Sequence, residues 1–95
     1  MNTYYQANPN FLTREIAGEV LVVPVGEQTV KLNGMITFNE VGGVLWKLLE
    51  TKKTMEELIR QLADEYGLQT EDVADDVKDF VDKAVARDFI NTIFE

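Results

Sequence analysis

Five aspartates, Asp72, Asp75, Asp76, Asp79 and Asp82, recur three and four residues apart, a spacing that makes carboxylates neighbours on a helix. Carboxylates gathered in this way could hold a hard cation. Calcium sites, however, also draw on a loop with a fixed ligand pattern, and no such motif is present. A helical acidic face is usually a solvated face, so no metal site is expected. The chain contains neither histidine nor cysteine. That removes the commonest general base, the commonest transition-metal ligand, the thiolate nucleophile and any disulfide. There is no P-loop, no G-x-S-x-G and no dinucleotide fingerprint. The expectation is a protein without catalytic residues and without a cofactor.

The charge balance narrows the partners. With 9 basic and 17 acidic residues the formal net charge is -8. Nucleic-acid binding depends on basic side chains displacing counterions, so a phosphate backbone is a poor partner and a basic peptide or protein a better one. From Glu71 to Asp88 seven acidic residues accompany only Lys78, Lys83 and Arg87. The longest apolar runs, such as Val20 to Val25, fall far short of the ~20 residues that span a bilayer, and no secretory signal opens the sequence. Neither a membrane nor a nucleic acid is expected as partner, and the cytoplasm is the expected location.

The elements that would position any site follow from periodicity. Ninety-five residues, 45% of them apolar, suit one small domain. Residues 1–10 show no sustained periodicity and read as a flexible N-terminal arm, which leaves residues 11–95 as the domain. Leu12 to Ile16 alternates, turns at Ala17-Gly18-Glu19 and returns as Val20-Leu21-Val22-Val23, a β-hairpin whose second strand should end at Pro24. Gly26 opens a loop. Val30 and Leu32 resume the alternation, Asn33-Gly34 breaks it, and a third strand is placed within residues 29–38, chiefly in Met35-Ile36-Thr37-Phe38.

Three helices follow. Asn39 caps the first, which ends near Glu50. Thr54 with Glu57 forms a capping box ahead of the stripe Met55, Leu58, Ile59 and Leu62, and Gly67 stops the second. Thr70 is read as the cap of the third, with Val73, Val77, Phe80, Val81, Ala84 and Val85 along one face. Phe89 to Phe94 reads as an extended tail packing back on the domain. The fold class is therefore α+β: a three-stranded antiparallel sheet followed by three helices, with a winged helix-turn-helix outline.

Within FNEVGGVLWKLLE, residues 38–50, the adjacent glycines Gly42 and Gly43 sit early in a helix that gains nothing from them locally. Gly42 lies one turn before Trp46 on the same side, so a missing Cβ there lets another backbone or the sheet approach closely. Trp46 itself reads as core in preference to a ligand platform. The third strand, if it lies at a sheet edge, offers unpaired N–H and C=O groups to an extended peptide. The alternative is an edge that is merely short or covered.

GMITFNEVGGVLWKLLETKKTMEELIRQLADEYG, Gly34 to Gly67, resembles the signature region of the PqqD-like family, the RiPP recognition elements. An asparagine, a small-residue pair, a Trp followed by two leucines, and a Thr opening the next helix fall on Asn39, Gly42-Gly43, Trp46, Leu48-Leu49 and Thr54. Arg14 to Gly26 and Asp75 to Ile90 fit as well. Thr51 and Asp88 stand where the family often has glycine, or glycine or asparagine; aspartate visits the left-handed region more readily than most residues.

The resemblance implies a module that binds the leader segment of a ribosomally made precursor peptide. The leader adds as a strand to the third strand, lies against the third helix and is presented to a modifying enzyme, often a radical SAM protein. Carried onto this chain, the edge is Met35, Ile36, Thr37 and Phe38, the apolar wall Val77, Phe80 and Val81, and the polar rim Asp76 and Lys83. A winged-helix transcriptional regulator is the competing reading, and the acidic third helix argues against it.

Overall fold

The computed structural model describes residues 2–25 and 36–95. The strands are β1 (Thr3–Ala7), β2 (Phe11–Ile16), β3 (Glu19–Pro24), β4 (Ile36–Phe38) and β5 (Ile90–Phe94), and the helices are α1 (Glu40–Leu48), α2 (Met55–Tyr66) and α3 (Thr70–Ala86). The architecture is α+β, with the strands in two antiparallel sheets of order β2-β3-β4 and β1-β5. The expected Asn33-Gly34 turn, the Gly26 loop, Val30, Leu32 and Met35 lie outside the described residues.

The β2–β3 hairpin closes through Ala17 and Gly18, both at positive φ (52° and 82°), between the paired residues Ile16 and Glu19. Positive φ at both central residues matches the right-handed twist of the flanking strands. β3 ends at Pro24, opposite Phe11, as the missing N–H of proline requires. β4 pairs with β3 in the register Val20↔Phe38, Leu21↔Thr37 and Val22↔Ile36.

The N-terminal arm is a correction. Thr3–Ala7 forms β1, paired antiparallel with β5 from Thr3↔Phe94 to Ala7↔Ile90. Its other side is occupied as well. Tyr5 N donates to Lys53 O at 2.7 Å, Lys53 N to Tyr5 O at 2.9 Å, and Ala7 N to Leu49 O at 2.8 Å. β1 thus fastens the end of α1 and the α1–α2 link to the last strand. Asn8, which is buried, extends the seam: its Nδ2 donates to Asp88 O at 2.8 Å, and its Oδ1 accepts from Asn10 N at 3.0 Å. Asp88 is the left-handed residue (φ 63°) that turns the chain from α3 into β5.

The helix starts follow local chemistry. Asn39 Oδ1 accepts from Gly42 N at 2.7 Å. Thr54 and Glu57 complete the capping box reciprocally, Thr54 Oγ1 accepting from Glu57 N at 3.1 Å and Glu57 Oε1 from Thr54 N at 2.9 Å. Gly67 ends α2 in the left-handed conformation (φ 64°). For α3 the cap is Gln69, one residue before the expected Thr70, because Asp72 Oδ2 accepts from Gln69 N at 3.1 Å.

The backbone hydrogen bond from Thr54 holds the Glu57 carboxyl below its ordinary value of 4.5, despite an opposing desolvation effect. A carboxyl depressed in the folded state stabilises above its unfolded pKa and loses that contribution as pH falls through the folded value. Glu57→Gln keeps the cap geometry without the charge. It should flatten the dependence of urea midpoint on pH below about 4.5 and lower the neutral-pH midpoint slightly, with the two proteins converging at low pH where Glu57 is protonated.

The core is Phe11, Val20 and Val22 from the three-stranded sheet, Leu45, Trp46 and Leu49 from α1 and its end, Leu58, Leu62 and Ala63 from α2, Val73, Val77, Val81 and Ala84 from α3, and Phe89 and Ile90. Trp46 is 1% exposed, as the core reading expected.

The glycine pair is where α1 crosses the sheet. A Cβ on Gly43 would lie 2.8 Å from Val20 Cγ2, whereas one on Gly42 would lie 3.1 Å from Asn39 Oδ1 and 3.2 Å from Phe38 Cβ. The close approach expected at Gly42 exists and is tighter still at Gly43, against a stiff β-branched side chain. Gly43→Ala gains helix propensity of about 1 kcal/mol but meets an overpacking cost of about 1–3 kcal/mol. A net loss of about 1 kcal/mol is expected in thermal melts, and Gly43→Ala should be worse than Gly42→Ala.

Candidate functional site

The sheet order leaves β4 with one neighbour, β3, among the described residues. Its last residue, Phe38, lines a groove of about 660 Å³ between the β4–α1 corner and α3. Phe38, Asn39, Val41, Gly42 and Leu45 form one wall, and Asp76, Asp79, Phe80, Lys83, Ala84 and Arg87 form the other, with Phe89 also lining it.

Phe38 and Phe80 are half-buried and meet across the groove with ring centroids 5.5 Å apart. Phe38 in turn stacks on Trp46 at 5.5 Å and 29°, Trp46 meets the edge of Phe11 at 6.2 Å, and Phe11 meets Phe89 at 5.3 Å. Two groove residues are therefore the outer members of an aromatic series that runs into the core. The Trp46 indole donates to Thr13 Oγ1 at 2.6 Å, which fixes the ring from the hairpin side.

Helical geometry explains why α3 faces both ways. Val73, Val77, Val81 and Ala84 form the inward stripe, while Asp76, Phe80, Lys83 and Arg87, spaced by four, three and four residues, form an adjacent row. Of the residues expected to form the wall, Phe80 stands in the groove with Asp76 and Lys83 at its rim. Val77 and Val81 do not: both are fully buried and fill the core. Phe38, Ile36 and Thr37 are in β4, and Met35 lies outside the described residues. The residues not anticipated are mainly Val41, Asp79, Arg87 and Phe89. The four-three-four row in the sequence carried the signal for Arg87, since it continues from Asp76, Phe80 and Lys83.

The rim is charged in sequence along α3. Lys83 Nζ and Asp79 Oδ2 are 3.0 Å apart, an exposed pair one turn apart. Near the α1 end, Tyr66 Oη donates to Glu40 Oε2 at 3.1 Å; desolvation first, then this bond and the carboxylate, raises the phenol pKa. Among the described residues no group of carboxylates is arranged to hold a metal ion.

Residues 18–90 match the family described as coenzyme PQQ synthesis protein D (PqqD). The chain belongs to the PqqD family. The match covers the hairpin turn, β3, β4, the three helices and the start of β5, the elements that build the groove. No curated protein is significantly similar in sequence. Among solved structures, "TbiB1 in Complex with the TbiA(beta) Leader Peptide" resembles this PqqD-family chain with a TM-score of 0.73, covering 90% of this chain and 94% of that one at 21% identity. At that identity the likeness is one of fold.

Proposed function

We propose that the chain is a recognition module for the leader segment of a ribosomally made precursor peptide. The leader adds as a strand to the outer edge of β4 and seats alternate side chains in the groove against α3. The observation that carries this reading is that β4, which has β3 as its one strand neighbour among the described residues, ends at Phe38 in an aromatic-floored groove. Membership of the PqqD family supports it, as does the fold shared with a protein solved with a leader peptide. Ile36, Thr37 and Phe38 supply the edge, Phe80 the apolar wall, and Asp76 and Lys83 the rim, while Val77 and Val81 support the wall from within.

The chain supplies binding and presentation, and a separate peptide-modifying enzyme of the radical SAM class supplies the chemistry. The winged helix-turn-helix outline belongs to the same reading, used for peptide instead of DNA. Seven carboxylates between Glu71 and Asp88 disfavour a phosphate backbone at α3.

Titrating isotope-labelled protein with the leader of a precursor encoded beside its gene tests the proposal. Amide shifts should concentrate at 36–38 and along the Asp76, Phe80 and Lys83 row. Saturating peptide without shifts there, or retention of duplex DNA at moderate salt, would overturn it.

A further inference from the structure

Resting on the peptide-binding reading, the rim of the groove adds a specificity. Asp76 and Arg87 stand at opposite ends of the α3 row, and both are exposed. Between them, Lys83 and Asp79 neutralise one another. Neither Asp76 nor Arg87 has an ionic partner among the described residues. Among the described residues, the groove therefore has an unpaired negative charge at one end of the α3 row and an unpaired positive charge at the other, with Phe80, which meets Phe38, between them.

Eleven residues of helix separate the two charges, which at 1.5 Å per residue is roughly 16 Å. An extended strand covers that length in about five residues at ~3.3 Å each. Only even spacings put two side chains on the same face of a strand, so four or six residues bring both to the groove. We propose that the preferred guest is a dipolar segment: a basic side chain opposite Asp76, an acidic side chain opposite Arg87 four or six residues away, and an apolar side chain on the same face between them, seated on Phe38 and Phe80. The strongly acidic chain draws basic peptides generally. Arg87 adds the demand for one carboxylate at a defined distance.

Panning a displayed library of random dodecapeptides at low salt tests this, using wild type and the double variant Asp76→Lys, Arg87→Glu in parallel. Both positions are exposed and have no ionic partner among the described residues, and a thermal melt checks that the variant folds. Wild type should enrich peptides with a basic and an acidic residue four or six apart in one constant order, and the double variant should enrich the opposite order. Peptides carried from one protein to the other should bind about three- to ten-fold more weakly, a difference that salt erodes, as for rim charges generally. Enriched peptides that shift the Phe38 and Phe80 resonances but show no charge order, or the same order on both proteins, overturn the dipolar specificity alone. Enriched peptides that leave those resonances unmoved overturn the peptide site as well.

Discussion

Trp46→Ala should cost about 3–5 kcal/mol of stability, the range for removing a fully buried aromatic side chain. Small domains have only about 5–15 kcal/mol in total, so the variant is expected to be near the edge of folding. Burial is one part of that effect. The indole also carries the stack with Phe38 and the edge contact with Phe11, and it donates the bond that satisfies Thr13. Trp46→Phe keeps much of the apolar volume but loses the donor, and it should cost clearly less. Urea unfolding followed by circular dichroism measures both. A loss below about 1.5 kcal/mol for alanine, with an unchanged m-value, would mean that the site collapses around the cavity and that the aromatic series is not rigid.

Phe80→Ala has the largest expected effect on binding. An aromatic anchor at the centre of a desolvated contact commonly carries about 2 kcal/mol or more, so leader-peptide affinity should fall roughly ten- to fifty-fold by calorimetry. Stability should fall much less than for Trp46→Ala, because Phe80 is half-buried at the margin of the core and its ring contact is with Phe38, whereas Trp46 is fully buried. That separation makes Phe80 a cleaner probe than Phe38, whose ring also holds Trp46. An unchanged affinity would place the guest outside the groove.

Features set by neighbouring residues were legible in the sequence. Asn39, the Thr54–Glu57 box, Gly67, the Ala17-Gly18 turn and the end of β3 at Pro24 each satisfy backbone groups only a few residues away. β1 was not legible, because Thr3–Ala7 has no strand partner near it in sequence: its register is written in Ile90–Phe94. The apolar, β-branched run of the tail marks it as packing back on the domain, but its partner strand lies at the other end of the chain.

The candidate site divided for a different reason. Helical spacing identified an apolar face on α3 but could not say where that face turns from core to groove. Val77 and Val81 lie four residues apart on the inward stripe, while Phe80 sits one step round the helix at its margin. Which of three adjacent apolar positions meets a guest depends on where Phe38 arrives from β4, a tertiary fact.

The double fastening of β1 bears on where this module can be cut. A boundary drawn at the start of the family match, residue 18, discards β1 and all of β2, although β1 holds β5 on one flank and the α1–α2 link on the other. Such a truncation removes no groove residue, and yet it strips β5 of its partner and bares a strand edge bearing Ile93 and Phe94. Open apolar edges template pairing between copies, so the shortened domain would be prone to aggregate. Grafts and fusions of this recognition module should begin no later than Thr3.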